Sequence, residues 1–213
     1  MNKSEKFWDK QAGKYDYSER RFQPVFDRIL RITKNYLSIS DIVLDYGCAT
    51  GTKTLELAKH VNQIHGIDIS SKMIEDAARK ATETNIINTG FSQGTIFYND
   101  FKNSSFDKIT AYGILHLIKE ENDVIKKIWD LLKAGGLFIL STACLNDKME
   151  TKSRIEFSLY RLIKILKIFP LHLNMYKPID VEKLIISNGF EIIESESIFH
   201  GITISFIIAK KIV

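Results

Sequence analysis

The sequence predicts an α/β protein: a doubly wound, mostly parallel sheet of seven strands with helices on both faces. Three observations lead there. The stretch Val43-Leu44-Asp45-Tyr46-Gly47-Cys48-Ala49-Thr50-Gly51 passes from an apolar strand through a glycine turn into a helix. Short apolar runs then alternate with segments of helical periodicity, the rhythm of βαβ units. The last two strand-like runs, 190–196 and 203–209, are joined by too short a connection for a crossover helix, so that pair is expected to be antiparallel.

Composition sets the outer limits. With 213 residues and 45% hydrophobic side chains, the chain can bury one full core as a single domain over 1–213. Its net charge of +4 comes from Lys and Arg scattered over polar helix faces, which reads as a solvated surface and not a nucleic-acid footprint. Cys48 and Cys144 form no CxxC pair, so neither a disulfide framework nor a zinc site is expected, no metal is called for, and a reducing cytoplasm is the natural setting. The start, Met1 to Lys6, is charged and lacks an apolar core segment, so no secretory signal is expected, and no uncharged apolar run is long enough to span a bilayer.

In chain order, residues 1–37 read as a helical N-terminal arm. Phe7-Trp8-Asp9-Lys10-Gln11-Ala12-Gly13-Lys14-Tyr15-Asp16 is aromatic and charged at once, which suits a segment folded over something. Phe26, Ile29, Leu30, Thr33 and Leu37 then recur at the spacing of an amphipathic helix from about Phe22. Ser38 to Asp41 breaks the pattern and opens a core over 38–146. Ile42-Val43-Leu44 is a strand covered on both faces, and Gly47 and Gly51 let the backbone bend and pass close to a ligand before the helix from Thr52 to His60. Gln63 to Asp68 is a second strand, and Ser70 or Ser71 caps the helix Lys72 to Thr84. Thr95-Ile96-Phe97-Tyr98 is expected as the third strand and Phe106 to Tyr112 as the fourth. A helix around Ile128-Trp129 and the turn Lys133 to Gly136 then lead into the fifth, Leu137 to Thr142. Residues 147–178 form an expected helical lid insertion. Ile155, Leu159, Leu162, Ile163 and Leu166 share one helical face, Arg161, Lys164 and Lys167 another, and Pro170 stops the helix. Such a helix either packs over the sheet's carboxyl edge or rests on a membrane or lipid, so 155–176 is a candidate for peripheral membrane or lipid contact. Residues 179–213 supply a last helix and the antiparallel pair.

The chemistry resides in acids at strand ends. Asp68 stands where a carboxylate can accept hydrogen bonds from both ribose hydroxyls of a nucleoside, which leaves NAD and S-adenosylmethionine both open. Gly47 followed by Gly51 lacks the GxGxxG spacing that brings a helix terminus onto a pyrophosphate, and so favours a ligand without phosphates. Asp100, closing the expected third strand, can accept from an adenine amino group.

Val43 to Gly51 resembles the first motif of class I S-adenosylmethionine-dependent methyltransferases, and Gly66-Ile67-Asp68-Ile69-Ser70 with Met73 resembles their second-strand motif. Asn99-Asp100-Phe101, Ala111-Tyr112-Gly113-Ile114-Leu115-His116 and Leu131-Leu132-Lys133-Ala134-Gly135-Gly136-Leu137 continue the likeness in order, and Phe7-Trp8-Asp9 with Ala12 and Tyr15-Asp16 is similar to the arm that small-molecule members fold over the cofactor. The resemblance implies the Rossmann-like methyltransferase fold and S-adenosyl-L-methionine as cofactor. It implies that Gly47, Cys48, Ala49 and Gly51 form the turn around the methionine portion, with Ala49 in place of the family's middle glycine. By the same likeness Asp45 orients the ammonium group and Asp68 takes the ribose hydroxyls. Ile69 and Met73 sandwich the adenine, Asp100 and Phe101 meet its edge, Tyr112 offers its backbone, and Tyr15 closes the arm.

Methyl transfer from a sulfonium disperses positive charge, so a dry apolar pocket and in-line positioning supply much of the rate. A base is needed only where the acceptor must lose a proton. His116 is the best placed, with Tyr176 and His172 as weaker options. Ala111-Tyr112-Gly113-Ile114 does not match the Asn/Asp-Pro-Pro-aromatic turn of base-methylating relatives, so a small apolar or lipid-like acceptor is expected, and no nucleic acid. The alternatives are a protein that binds the cofactor without transferring a methyl group, as a sensor or partner subunit, and an NAD-dependent oxidoreductase. Either a monomer or a homodimer is compatible with the sequence.

Overall fold

The computed structural model describes residues 3–97, 101–155, 157–158 and 172–212. The chain begins with α1 (Lys3–Glu19) and, after a short 3-10 turn, α2 (Gln23–Lys34). Then follow β1 (Ile42–Tyr46), α3 (Thr52–Ala58), β2 (Gln63–Asp68), α4 (Ser71–Glu83), β3 (Thr89–Gln93), β4 (Phe106–Tyr112), α5 (Glu121–Leu131) and β5 (Leu132–Met149). The chain closes with α6 (Pro178–Ser187), β6 (Phe190–His200) and β7 (Ile202–Lys211).

The seven strands lie in the order β3-β2-β1-β4-β5-β7-β6. The first five are mutually parallel, and β7 runs antiparallel to both its neighbours. The order reverses between β1 and β4, and at such a switch point the loops leaving two adjacent strands part and open a crevice at the carboxyl edge. At the centre of the sheet both faces are covered, which explains why β1, β7 and residues 137–143 of β5 read as near-continuous apolar runs. In β7, Ile204, Phe206 and Ile208 pack towards α2 and α3, while Ile207 and Ala209 pack with α5 and α6.

Local chemistry starts and stops the elements. The Ser70 hydroxyl accepts the Met73 N–H at 3.2 Å and caps α4. Pro178 opens α6, where Asp180 accepts the Lys177 N–H at 2.8 Å. Gly201, at φ +73°, is the whole connection between β6 and β7, as the expectation of an antiparallel pair requires.

The third strand departs from expectation. It is the polar stretch Thr89–Gln93, and Thr95 to Phe97 leads into a turn in which Ile96 is buried and Phe97 half exposed. An edge strand needs one neighbour, not a doubly apolar sequence. Asn88 ties its start by donating to the Ala58 and Val61 carbonyls at 2.8 and 3.1 Å. A Cβ at Gly90 would lie 2.7 Å from His65 Nδ1, so only glycine lets β3 close on β2. The fifth strand also differs, since Lys133 to Gly136 is an irregularity within β5 where Phe106 pairs with Leu132 and Lys108 with Leu137. In the expected lid, residues 151–155 and 157–158 are helical, while residue 156 and residues 159–171, which carry most of that amphipathic pattern, lie outside the described residues.

Candidate active site

The floor of the crevice is the turn between β1 and α3. Gly47 and Cys48 both donate their N–H to the Ile67 carbonyl, at 2.8 and 3.0 Å, and Gly51 donates to the Cys48 carbonyl at 3.0 Å. Gly47 (φ +76°), Ala49 (φ +49°) and Gly51 (φ +74°) all take left-handed conformations. At Gly51 a Cβ would also meet that of Ala77 at 2.7 Å, and one at Gly47 would run into Ile114. The Cys48 thiol packs over Gly66, and burial pushes its pKa well up, so it is inert packing.

Beneath the turn, Asp45 is 2% exposed and accepts hydrogen bonds from Thr54 at 2.5 Å and Thr110 at 2.7 Å. Burial raises its pKa despite those two donors. Its carboxylate braces the turn from below and shows almost no surface to the crevice. Asp68 stands one strand over, in reach of the turn itself. It accepts the Ala49 N–H at 3.1 Å and the Ser70 N–H at 2.9 Å, and burial pushes its pKa up to about 6.

The arm lies across this floor. Ala12 packs on Ala49 and Met73, with Trp8 and Tyr15 alongside, and Ile69 stands half-buried at the rim. Tyr15 donates to Glu19 at 3.0 Å, and burial lifts its phenol well above the ordinary range. Three acids of α1 fasten it down. Asp9 accepts from the Ser70 hydroxyl at 2.6 Å, Asp16 from Thr50 at 2.5 Å and Lys80 at 2.6 Å, and Glu19 from Lys53 at 2.7 Å. Sequence reasoning missed these anchors, although Asp9, Ala12, Asp16 and Glu19 recur at i, i+3, i+7 and i+10 and so share one helix face.

Beside the arm lies a cavity of about 240 Å³ whose walls include Tyr15, Phe22, Phe26, His116, Thr142 and Ile204. His116 follows β4, and its Nδ1 lies 3.2 Å from Thr142 Oγ1. Burial lowers its pKa to about 4, so the ring is neutral at pH 7 but weak as a base. A larger cleft of about 700 Å³ lies against the outer side of α1, between α3 and α4, but it includes neither Asp68 nor His116.

The remaining expected site residues are spread. Tyr112 commits its hydroxyl to Thr33, 2.8 Å away under α2, which leaves its backbone near the crevice. Phe101 stacks edge-on against His65 and Phe106, at 5.5 and 5.2 Å between ring centres, and His65 comes three residues before the strand end at Asp68. Asp100 lies outside the described residues. Of the weaker options, His172 bonds Asn174 at 2.8 Å and Tyr176 is a buried phenol whose pKa burial raises.

A family model described as a methyltransferase domain matches residues 38–190. The chain belongs to that family, the class I S-adenosylmethionine-dependent methyltransferases. It is 32% identical over 98 residues to the uncharacterized methyltransferase YcgJ of Bacillus subtilis, a match covering 46% of this chain and 39% of that protein. It is 29% identical over 172 residues, 75% of this chain and 70% of the relative, to the carboxy-S-adenosyl-L-methionine synthase of Nautilia profundicola. Among solved structures, a chain of the complex between the Haloferax volcanii Trm112 methyltransferase activator and a methyltransferase superposes with a TM-score of 0.78 at 16% identity, over 97% of this chain and 98% of that one, a likeness of fold alone.

The methyltransferase's cofactor is S-adenosylmethionine, and the observed floor fits it. A carboxylate offers about four lone-pair sites. At Asp68 the Ala49 and Ser70 amides each take one oxygen, with the Ile69 backbone also close, and acceptor capacity is left for a ligand hydroxyl. No helix among the described residues is long and apolar enough to cross a membrane, and no cluster of their His, Cys, Asp or Glu side chains could hold a metal ion.

Proposed function

We propose that this methyltransferase acts on a small, largely apolar acceptor held in the cavity between the arm and the ends of β4 and β5. The cavity carries the reading: Phe22, Phe26, Ala143, Ile202 and Ile204 give it apolar walls, with His116, Ser141 and Thr142 as polar groups from the strand ends and Tyr15, Ser18 and Glu19 from the arm. When bound, S-adenosylmethionine would supply an electrophilic methyl group to the acceptor's lone pair, with its sulfur as the leaving group.

The protein's own part is placement and exclusion. The left-handed turn at Gly47, Ala49 and Gly51 admits close approach of a ligand to the backbone, and Asp68 anchors the nucleoside through its hydroxyls. Asp45 holds the turn in shape through Thr54. Tyr15 and Trp8 close the arm and shed water from the reacting centre, where a dry site opposes charge dispersal less than water does. His116 is the side chain that contacts the acceptor. At about 240 Å³ the cavity suits an acceptor of one ring or a short branched chain, below the usual range of drug-sized pockets. Contact with a lipid surface through 155–176 belongs to the same proposal as an extension: Ile155 is exposed beside the end of β5.

The test is a screen of acceptors in which S-adenosylhomocysteine release is measured. Turnover with compact aromatic or branched acceptors, reduced at least tenfold by Phe26→Ala, supports the reading. Cofactor binding by calorimetry without product from any acceptor would favour the sensor or partner alternative instead.

A further inference from the structure

The hydrogen bonds at the base of the cavity decide which face His116 turns to its ligand. Thr142 is fully buried, and its Oγ1 accepts the backbone N–H of His116 at 3.1 Å. That same oxygen lies 3.2 Å from His116 Nδ1. The hydroxyl proton of Thr142 still needs an acceptor. Ser205, its partner across the β5–β7 ladder, has a buried Oγ bonded to nothing among the described residues, so it does not serve. Among the described residues Nδ1 is the acceptor left. Were Nδ1 protonated instead, Oγ1 would accept twice and a buried hydroxyl proton would go unpaired, the costlier arrangement. With Nδ1 accepting, the neutral ring carries its proton on Nε2, and Nε2 has no protein partner among the described residues although the ring lines the cavity. The backbone holds the ring in place from the other side, since Asn174 donates its N–H to the His116 carbonyl at 2.8 Å.

We infer that Thr142 is a positioning residue that fixes His116 as its Nε2–H tautomer, so that the cavity presents a hydrogen-bond donor and selects acceptors bearing a carboxylate. His116 then binds and orients the acceptor without removing its proton. A carboxylate methylated on oxygen has no proton to lose, so electrons and atoms balance with no base in the site. This inference rests on the acceptor reading of the cavity given above. The lowered basicity of His116 accords with a donor role.

The experiment is nitrogen-15 correlation spectroscopy of the histidine rings in uniformly labelled full-length protein with bound S-adenosylhomocysteine, the His116 signals being those absent from His116→Asn. The expected result is a pyrrole-type Nε2 and a pyridine-type Nδ1, preserved in Thr142→Ser and lost or mixed in Thr142→Val. A pyrrole-type Nδ1 in the wild-type protein overturns the proposal, and that spectrum needs no variant to fold and no turnover. Benzoate and benzylamine are then titrated as probes of equal size. Benzoate is expected to shift the Nε2–H resonance, whereas a shift with benzylamine alone overturns the selectivity. Calorimetry with S-adenosylhomocysteine reports the cofactor site separately, so failure of the tautomer and failure of the methyltransferase reading give different results.

Discussion

The floor of the crevice and the arm above it are held by different physics. At the floor, backbone geometry does the holding: left-handed residues, glycines with no room for a Cβ, and a buried carboxylate saturated by threonines. Exchangeable contacts hold the arm, namely acids of α1 on Lys53, Lys80 and Thr50, around the modest apolar patch of Ala12, Trp8 and Tyr15. An exposed ion pair contributes about 0.2–1 kcal/mol, the range that suits Lys80–Asp16 with its half-exposed carboxylate, whereas forcing an L side chain into the left-handed region costs roughly 1–2 kcal/mol before any clash. On the proposed site, a weakly tied cover over a stiff floor lets a ligand exchange without disturbing the binding geometry.

Breaking the floor should have the largest effect. Gly51→Val places a β-branched residue at φ +74° with its Cβ against Ala77. We expect a loss of about 2–4 kcal/mol, lowering Tm by roughly 5–15 °C, and no detectable cofactor binding by calorimetry. A variant with native Tm and affinity would show that the floor is soft.

Asp68→Ala comes next. On the proposed role of Asp68 the change removes two charge-assisted hydrogen bonds to the ribose, at about 1.5–3 kcal/mol each, so the affinity for S-adenosylhomocysteine should fall on the order of 100-fold or more. Unchanged affinity would remove Asp68 from the site.

The protonation of Asp68 sharpens the comparison. Its folded pKa of about 6 lies above the ordinary value near 3.9, so the fold favours the neutral acid. Its contribution to stability is therefore full below pH about 4 and disappears as the pH rises through about 6. A ligand that donates to the carboxylate needs the ionised form. Calorimetric affinity for S-adenosylhomocysteine should accordingly fall about tenfold per unit below pH 6, and Asp68→Asn should flatten that slope. A wild-type affinity independent of pH between 5 and 7 would contradict the assignment.

The smallest effect belongs to the arm. Replacing Asp9 and Asp16 by Asn and Glu19 by Gln together should change cofactor affinity less than tenfold while speeding proteolysis within α1, as high salt should do to the wild-type chain. A loss as large as that of Asp68→Ala would mean that the arm, too, is part of the rigid site.

Much of the frame was legible because it is written in local signals. The glycine turn, the Ser70 cap, the two-faced apolar strands and the short link before β7 each act within a few residues, and each stands where the pattern put it. Polar β3 was not legible, because its pairing depends on Gly90 yielding space to His65 of a different strand. The anchoring face of α1 was present as a spacing, but nothing in the chain said which lysines it would meet.

Side-chain direction was the other hidden quantity. Tyr112 and Asp45 occupy the strand ends that the motif requires, yet one turns under α2 and the other is enclosed by Thr54 and Thr110. By itself the sequence determined the order of elements, the bend at Gly47 to Gly51 and the acid at the end of β2, since these follow from backbone freedom and hydrophobic period. Only the tertiary structure decided that Thr142 meets His116, that Asp68 touches the turn while Asp45 lies beneath it, and that Asp16 and Glu19 tie the arm to Lys80 and Lys53. Those are contacts between residues far apart in the chain, and their geometry exists only once the sheet has set its register.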